Sequence, residues 1–193
     1  MDLGNYDKAY SSVDTRISQL AKVVDNIERD TKWYIRRWES PKDQKTQTTY
    51  EDKEAVDLFG MPQNTTIDGN ILVNEGINEM WLLVGGTGAT LYNNANAQLV
   101  VGTSTTGENA SNTYASFSGA VTKGMDTTFP TTGSNQKIIF RSTYASGEAN
   151  QAWNEFGCRN GSSRNKLLNR KVSSQGTKQS GQTWELTLEI TLS

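Results

Sequence analysis

Glu148 and Glu155 flank Trp153, and paired carboxylates of this kind can serve glycoside hydrolysis, one as acid and one as base or nucleophile. No further polar constellation surrounds them, and two such glutamates are more often surface charges or strand ends. The chain has no histidine and a single cysteine, Cys158. Ser-His-Asp and Cys-His nucleophiles, histidine-ligated zinc and imidazole general bases are therefore unavailable. One cysteine forms no intrachain disulfide, so the fold does not depend on an oxidising compartment. Cys158 alternates into a strand pattern and reads as a small buried hydrophobe. Gly85-Gly86-Thr87-Gly88 follows a helical rather than a strand pattern and lacks the Gly-Lys-Ser/Thr ending of a phosphate loop. Asn-X-Ser/Thr triplets begin at Asn64, Asn109 and Asn160, and they carry meaning only in a secreted chain. No catalytic, cofactor-binding or metal-ligating set survives, and the expectation is a non-enzymatic protein.

Arg159, Arg164, Lys166, Arg170 and Lys171 cluster around the turn Arg159-Asn160-Gly161-Ser162-Ser163, whose Asn-Gly pair favours a tight hairpin. Basic clusters meet phosphate, but here no aromatic residues are interleaved to stack on bases. Net charge is -2 and the pI is about 5.3, so no global field draws the chain to nucleic acid or an anionic membrane. The hairpin reads as a solvated face or as a contact to an acidic neighbouring subunit.

The elements that position these residues follow from periodicity. At 193 residues there is room for one ordinary domain and an appendage. Hydrophobic residues are 34%, and 17 glycines with many Thr, Ser and Asn mark turns and short strands. Trp184, Leu186, Leu188, Ile190 and Leu192 alternate with Glu185, Thr187, Glu189 and Thr191, the pattern of a half-buried strand. Further strands are expected over 97–102, 137–144, 151–158 and 166–173, with a loop-rich stretch over 103–136 anchored by Tyr114, Phe117, Met125 and Phe129. A helix is expected from a cap at Asn70 through Ile71, Leu72, Ile77 and Met80-Trp81-Leu82-Leu83, stopped by Gly85-Gly86. The fold expected for 67–193 is mainly β, a β-sandwich of jelly-roll or immunoglobulin-like kind with one early helix.

Ahead of it lies the longest regular pattern in the chain. Tyr6, Tyr10, Val13, Ile17, Leu20, Val24, Ile27, Thr31, Tyr34 and Trp38 stand alternately four and three apart, without Gly or Pro between Asn5 and Ser40. That spacing predicts a long N-terminal helical arm over 1–40, a coiled-coil stripe or an amphipathic face for a partner. Ala9, Ala21, Val23 and Ile35 widen the stripe beyond a two-stranded seam, which favours three chains. A helix folded back on its own domain is the alternative. Pro41 ends the arm, and residues 41–66 read as a polar tether. The longest apolar run, Met80 to Val84, is far short of the roughly 20 residues that span a bilayer, and the acidic, polar N-terminus is no secretory signal. The expectation is a protein that stays soluble and meets no membrane.

Several blocks resemble virion proteins of tailed bacteriophages: Gly69-Asn70-Ile71-Leu72-Val73-Asn74-Glu75-Gly76-Ile77, Tyr92 to Gly102, Lys123-Gly124-Met125-Asp126 with Phe129-Pro130, and Phe140-Arg141-Ser142-Thr143-Tyr144. The likeness continues through Glu148 to Gly157, Leu168-Asn169-Arg170-Lys171-Val172, Gly176-Thr177-Lys178 and Trp184-Glu185-Leu186-Thr187-Leu188, so that it covers residues 67–193. Among such proteins the chain is similar to capsid decoration (cement) proteins, and also to docking domains of tail or head fibres. The resemblance implies a structural protein of the phage particle, made in the host bacterial cytoplasm. It further implies a homotrimer that docks on the major capsid protein or another virion protein. A fibre adaptor and a carbohydrate-binding module are the alternative readings.

Overall fold

The alternation that closes the chain needs neighbours with the same period of two, and the chain supplies one on each side. The computed structural model describes residues 29–38, 62–161 and 164–192. Among them the chain is mainly β, with two five-stranded antiparallel sheets and one α-helix. In the first sheet the order is β2 (Gln63–Asp68), β1 (Arg29–Trp38), β10 (Thr183–Leu192), β7 (Lys137–Tyr144) and β6 (Thr131–Thr132). In the second it is β3 (Ile71–Leu72), β9 (Leu167–Val172), β8 (Glu155–Arg159), β4 (Gln98–Gly102) and β5 (Val121–Gly124). The helix, α1 (Asn74–Val84), packs on β9.

One face of each sheet forms a common core. Trp33, Ile35, Phe140, Leu186 and Leu188 come from the first sheet, and Leu99, Val101, Phe156, Cys158 and Leu168 from the second. Trp153, just before β8, is fully buried between them. Its ring meets Tyr144 and Trp184 edge-on, each 4.9 Å away between centroids, and its Nε1 donates to the Ala149 carbonyl at 3.0 Å. Such aromatic pairs add about 0.5–1.5 kcal/mol beyond their buried area. A second, smaller cluster of Val73, Val100, Phe117 and Leu167 lies under the 103–120 loop.

The long N-terminal helical arm is corrected over part of its length, because residues 29–38 are strand β1. The strand lies between β2 and β10, with Trp33 opposite Leu188 and Ile35 opposite Leu186. The reason is legible in hindsight. Thr31, Trp33 and Ile35 are buried and alternate with Lys32, Tyr34 and Arg36, and β-branched and aromatic side chains suit a pleated surface. The 4-3 spacing threads Thr31 and Tyr34, which lie on opposite faces of the strand. Of the proposed interface positions, Tyr34 and Trp38 are thus sheet residues, while Tyr6, Tyr10, Val13, Ile17, Leu20, Val24 and Ile27 lie outside the described residues. The tether reading is corrected at its end too, since Gln63, Asn64, Thr65 and Thr66 pair with β1.

Two smaller boundaries also move. Ile71 and Leu72, expected inside the helix, pair with Arg170 and Asn169 of β9. The helix starts only after Val73, which has no side-chain cap, so Asn70 does not cap it. Gly85 ends the helix as expected. The strand expected over 151–158 begins at Glu155, because Trp153 and Asn154 donate their N–H groups to Gly176 and Gly102 instead of entering a continuous ladder.

Candidate binding face

The carboxylates that suggested sugar chemistry are built into the scaffold. Glu155 is fully buried, and both its oxygens are occupied. Oε1 accepts the N–H groups of Ser104 and Ser118, each at 2.9 Å. Oε2 accepts Nη2 and Nε of Arg170 at 2.7 and 3.0 Å. Arg170 is itself 1% exposed, and its Nη1 donates to Asn112 at 2.9 Å. This pair ties the 103–118 loop to β8 and β9. Glu148 holds Lys123 at 2.5 Å and accepts the Ala145 N–H at 2.8 Å. Partial burial alone would raise its pKa, but Lys123, the Ala145 N–H and Lys178 outweigh this and hold it below the usual range. Trp153, the ring between the two glutamates, faces the core and offers no stacking surface.

The basic hairpin is likewise satisfied from within. Arg164 reaches the buried Glu79 of α1 at 2.6 Å, and Lys166 reaches Glu75 at 3.4 Å. Lys171 stands 4.0 Å from Glu108, and Arg170 holds Glu155. Arg159 lies over the Tyr114 ring at 4.1 Å and donates to Gln98 and to Asn165. Asn160 donates to Glu79 at 3.0 Å while accepting the Lys166 N–H at 2.7 Å, which closes the turn. The helix therefore uses its acidic residues to clamp the β8–β9 turn, and the five cations face carboxylates or neutral polar partners of their own chain. Acidic Glu79, Asp126 and Glu155 are buried without a sequence signal that separates them from surface charges.

The open surface lies elsewhere. A cavity of about 350 Å³ opens between the two sheets where β7 begins and β10 ends. Ile138, Ile190 and Leu192 form one wall, Leu72 and Leu168 the other, and Met80 and Leu83 of α1 reach over it. On the same helix and just beyond it, Trp81, Val84 and Leu91 are 67%, 79% and 56% exposed. The sequence held a signal for this. Five consecutive apolar residues, Met80 to Val84, on a helix advancing 100° per residue cannot all face inward. Exposed apolar surface beside an apolar groove marks a contact site for another chain segment or protein. Cys158 is buried in the core, which pushes its thiol pKa up and leaves it unreactive. Among the described residues no group of three or more His, Cys, Asp or Glu could hold a metal, and no helix is long and apolar enough to cross a membrane. No family model, curated protein or solved structure matches the chain.

Proposed function

We propose that the protein is a non-enzymatic structural component of a tailed-bacteriophage particle, a capsid decoration protein that docks on the major capsid protein lattice and stabilises the head. The observation that carries the reading is the exposure of the apolar side chains Trp81, Val84 and Leu91 on a domain whose Glu79 and Glu155 are held in internal ion pairs. The phage-like blocks support it in a particular way: they contain the clamping residues. Asp126 of one block accepts Arg141 and Thr143 of another, at 3.1 and 2.8 Å, and Glu155 of a third meets Arg170 of a fourth. Lys178 of the Gly-Thr-Lys block donates to Ala145 and Asn150 at 2.7 and 2.8 Å. These contacts join residues of different blocks, and with the two antiparallel sheets they favour a β-sandwich of jelly-roll or immunoglobulin-like kind.

Copies would assemble as homotrimers by closed symmetry. With residues 29–38 taken into a sheet, the faces of the domain are the better-supported route to that trimer than the heptad stripe. The fibre-adaptor reading leaned on a stripe running to Trp38, and the carbohydrate reading on an accessible Trp153. Copy number separates the first two. Band intensity in purified particles, set against the major capsid protein, should correspond to hundreds of copies per head. A few to tens of copies would sink the decoration reading.

A further inference from the structure

The cavity between the sheets has a buried floor and a half-buried rim. Phe140, Leu168 and Ile190 are 0%, 5% and 6% exposed, whereas Leu72, Ile138 and Leu192 are partly open to water. Its volume is about 350 Å³. Close-packed interiors leave few voids larger than a water molecule, and a space of this size falls within the range of small-molecule pockets. The polar side chains of the lining are Tyr92, Gln136 and Lys137. Tyr92 donates its hydroxyl to the Lys166 carbonyl at 3.2 Å, and Lys137 holds Glu189 at 2.6 Å. That ion pair sums to zero charge, so the mouth holds no surplus cation for an anionic head group. Gln136, exposed at the mouth, is left to meet a hydroxyl.

We propose that this cavity binds a small uncharged apolar molecule, an alkyl chain of about ten carbons ending in a hydroxyl or a similarly neutral group. The size follows from the volume. A cavity of about 150 Å³ lined by Leu, Ile and Phe takes benzene, so one of about 350 Å³ takes about a dozen heavy atoms. The class follows from the lining, whose aliphatic walls reward hydrocarbon and nothing else. A peptide occupant is disfavoured on two counts. A helix about 10 Å across does not fit. An extended segment would bring N–H and C=O groups to walls that offer them no partner. Trp81, Val84 and Leu91 lie outside the lining and stay available to a protein partner. The inference rests on the cavity alone and not on the virion reading.

The test uses the full chain and the neutral fluorescent probe 1-aminoanthracene, displaced by 1-decanol or by decanoate at neutral pH. Probe binding should saturate at one molecule per chain, and decanol should displace it at a concentration roughly tenfold or more below that of decanoate, whose charge has no counter-ion here. Leu192→Trp and Ile138→Trp, made separately at the half-buried rim, should fill the space and weaken probe binding roughly tenfold. Either variant that keeps the far-UV strand signal gives the answer. Trp81→Ala should leave binding unchanged. Absence of probe binding, decanoate matching decanol, binding that survives a folded filling variant, or loss of binding in Trp81→Ala would each overturn the proposal. The readout is independent of copy number in a particle, so the two ideas fail separately.

Discussion

Glu155 shows how a residue that looks catalytic becomes structural once its neighbours are fixed. Four N–H donors converge on its two oxygens, two from the backbone and two from Arg170. Only a carboxylate accepts at both positions; an amide would present its own NH2 to one pair of donors. Glu155→Gln also leaves the buried guanidinium of Arg170 without its counter-charge. Breaking such a pair costs about 3–5 kcal/mol, and at about 2–4 °C per kcal/mol for a chain of this size the expected fall in Tm is on the order of 10 °C. Thermal unfolding followed by circular dichroism checks it. An unchanged Tm with loss of a glycan-directed activity would restore the enzymatic reading. The sequence shows the Glu-X-X-X-X-X-X-Glu spacing around Trp153 but not the donors, because Ser104, Ser118 and Arg170 are remote along the chain.

Among the elements, α1 illustrates what backbone contact imposes. Its Gly76 lies against β9 so closely that an added Cβ would stand 2.4 Å from the Leu168 carbonyl oxygen and 2.6 Å from its Cα. Backbone atoms do not move aside as a flexible side chain would. In an open helix, Gly→Ala would stabilise by roughly 0.5–1 kcal/mol. Here Gly76→Ala must lift the helix from the sheet, pull Glu75 and Glu79 away from the β8–β9 turn, and cost about 1–3 kcal/mol as overpacking does. A lowered urea midpoint is expected; a raised one would mean the close approach is relaxed in solution. The helix itself was legible from Ile77 to Leu83 and the Gly85-Gly86 stop. Its start was not, since Ile71 and Leu72 fit a helical stripe and a strand edge equally, and the open side of β9 decided for the strand. The hairpin cations were legible as a cluster but not as a clamp, because the acids that hold Arg164 and Lys166 sit on α1, more than eighty residues away.

At the scale of the whole molecule, the domain is not contained in residues 67–193. Strand β1 pairs with β10 along its full length and places Trp33 and Ile35, both wholly buried, in the common core. A fragment spanning 67–193 loses that strand and most of β2, and exposes one side of β10. It should show no cooperative unfolding transition; a sharp transition with the strand content of the full chain would restore the boundary at residue 67. The sequence by itself determined the absence of histidine chemistry, the mainly β character, the strands Lys137–Tyr144 and Thr183–Leu192, and the buried state of Cys158. These are local properties, set by composition and by a period of two that a single strand displays. Only the tertiary structure decided that Arg29–Trp38 is a strand rather than the end of a helix, and that Glu155 and Arg170 form one buried pair. It also decided that an apolar groove opens at the rim where β1 begins. Each of these depends on partners brought together across the length of the chain; for residues 29–38 the ladder of β10 selects the strand pattern over the helical stripe that the same ten residues also carry.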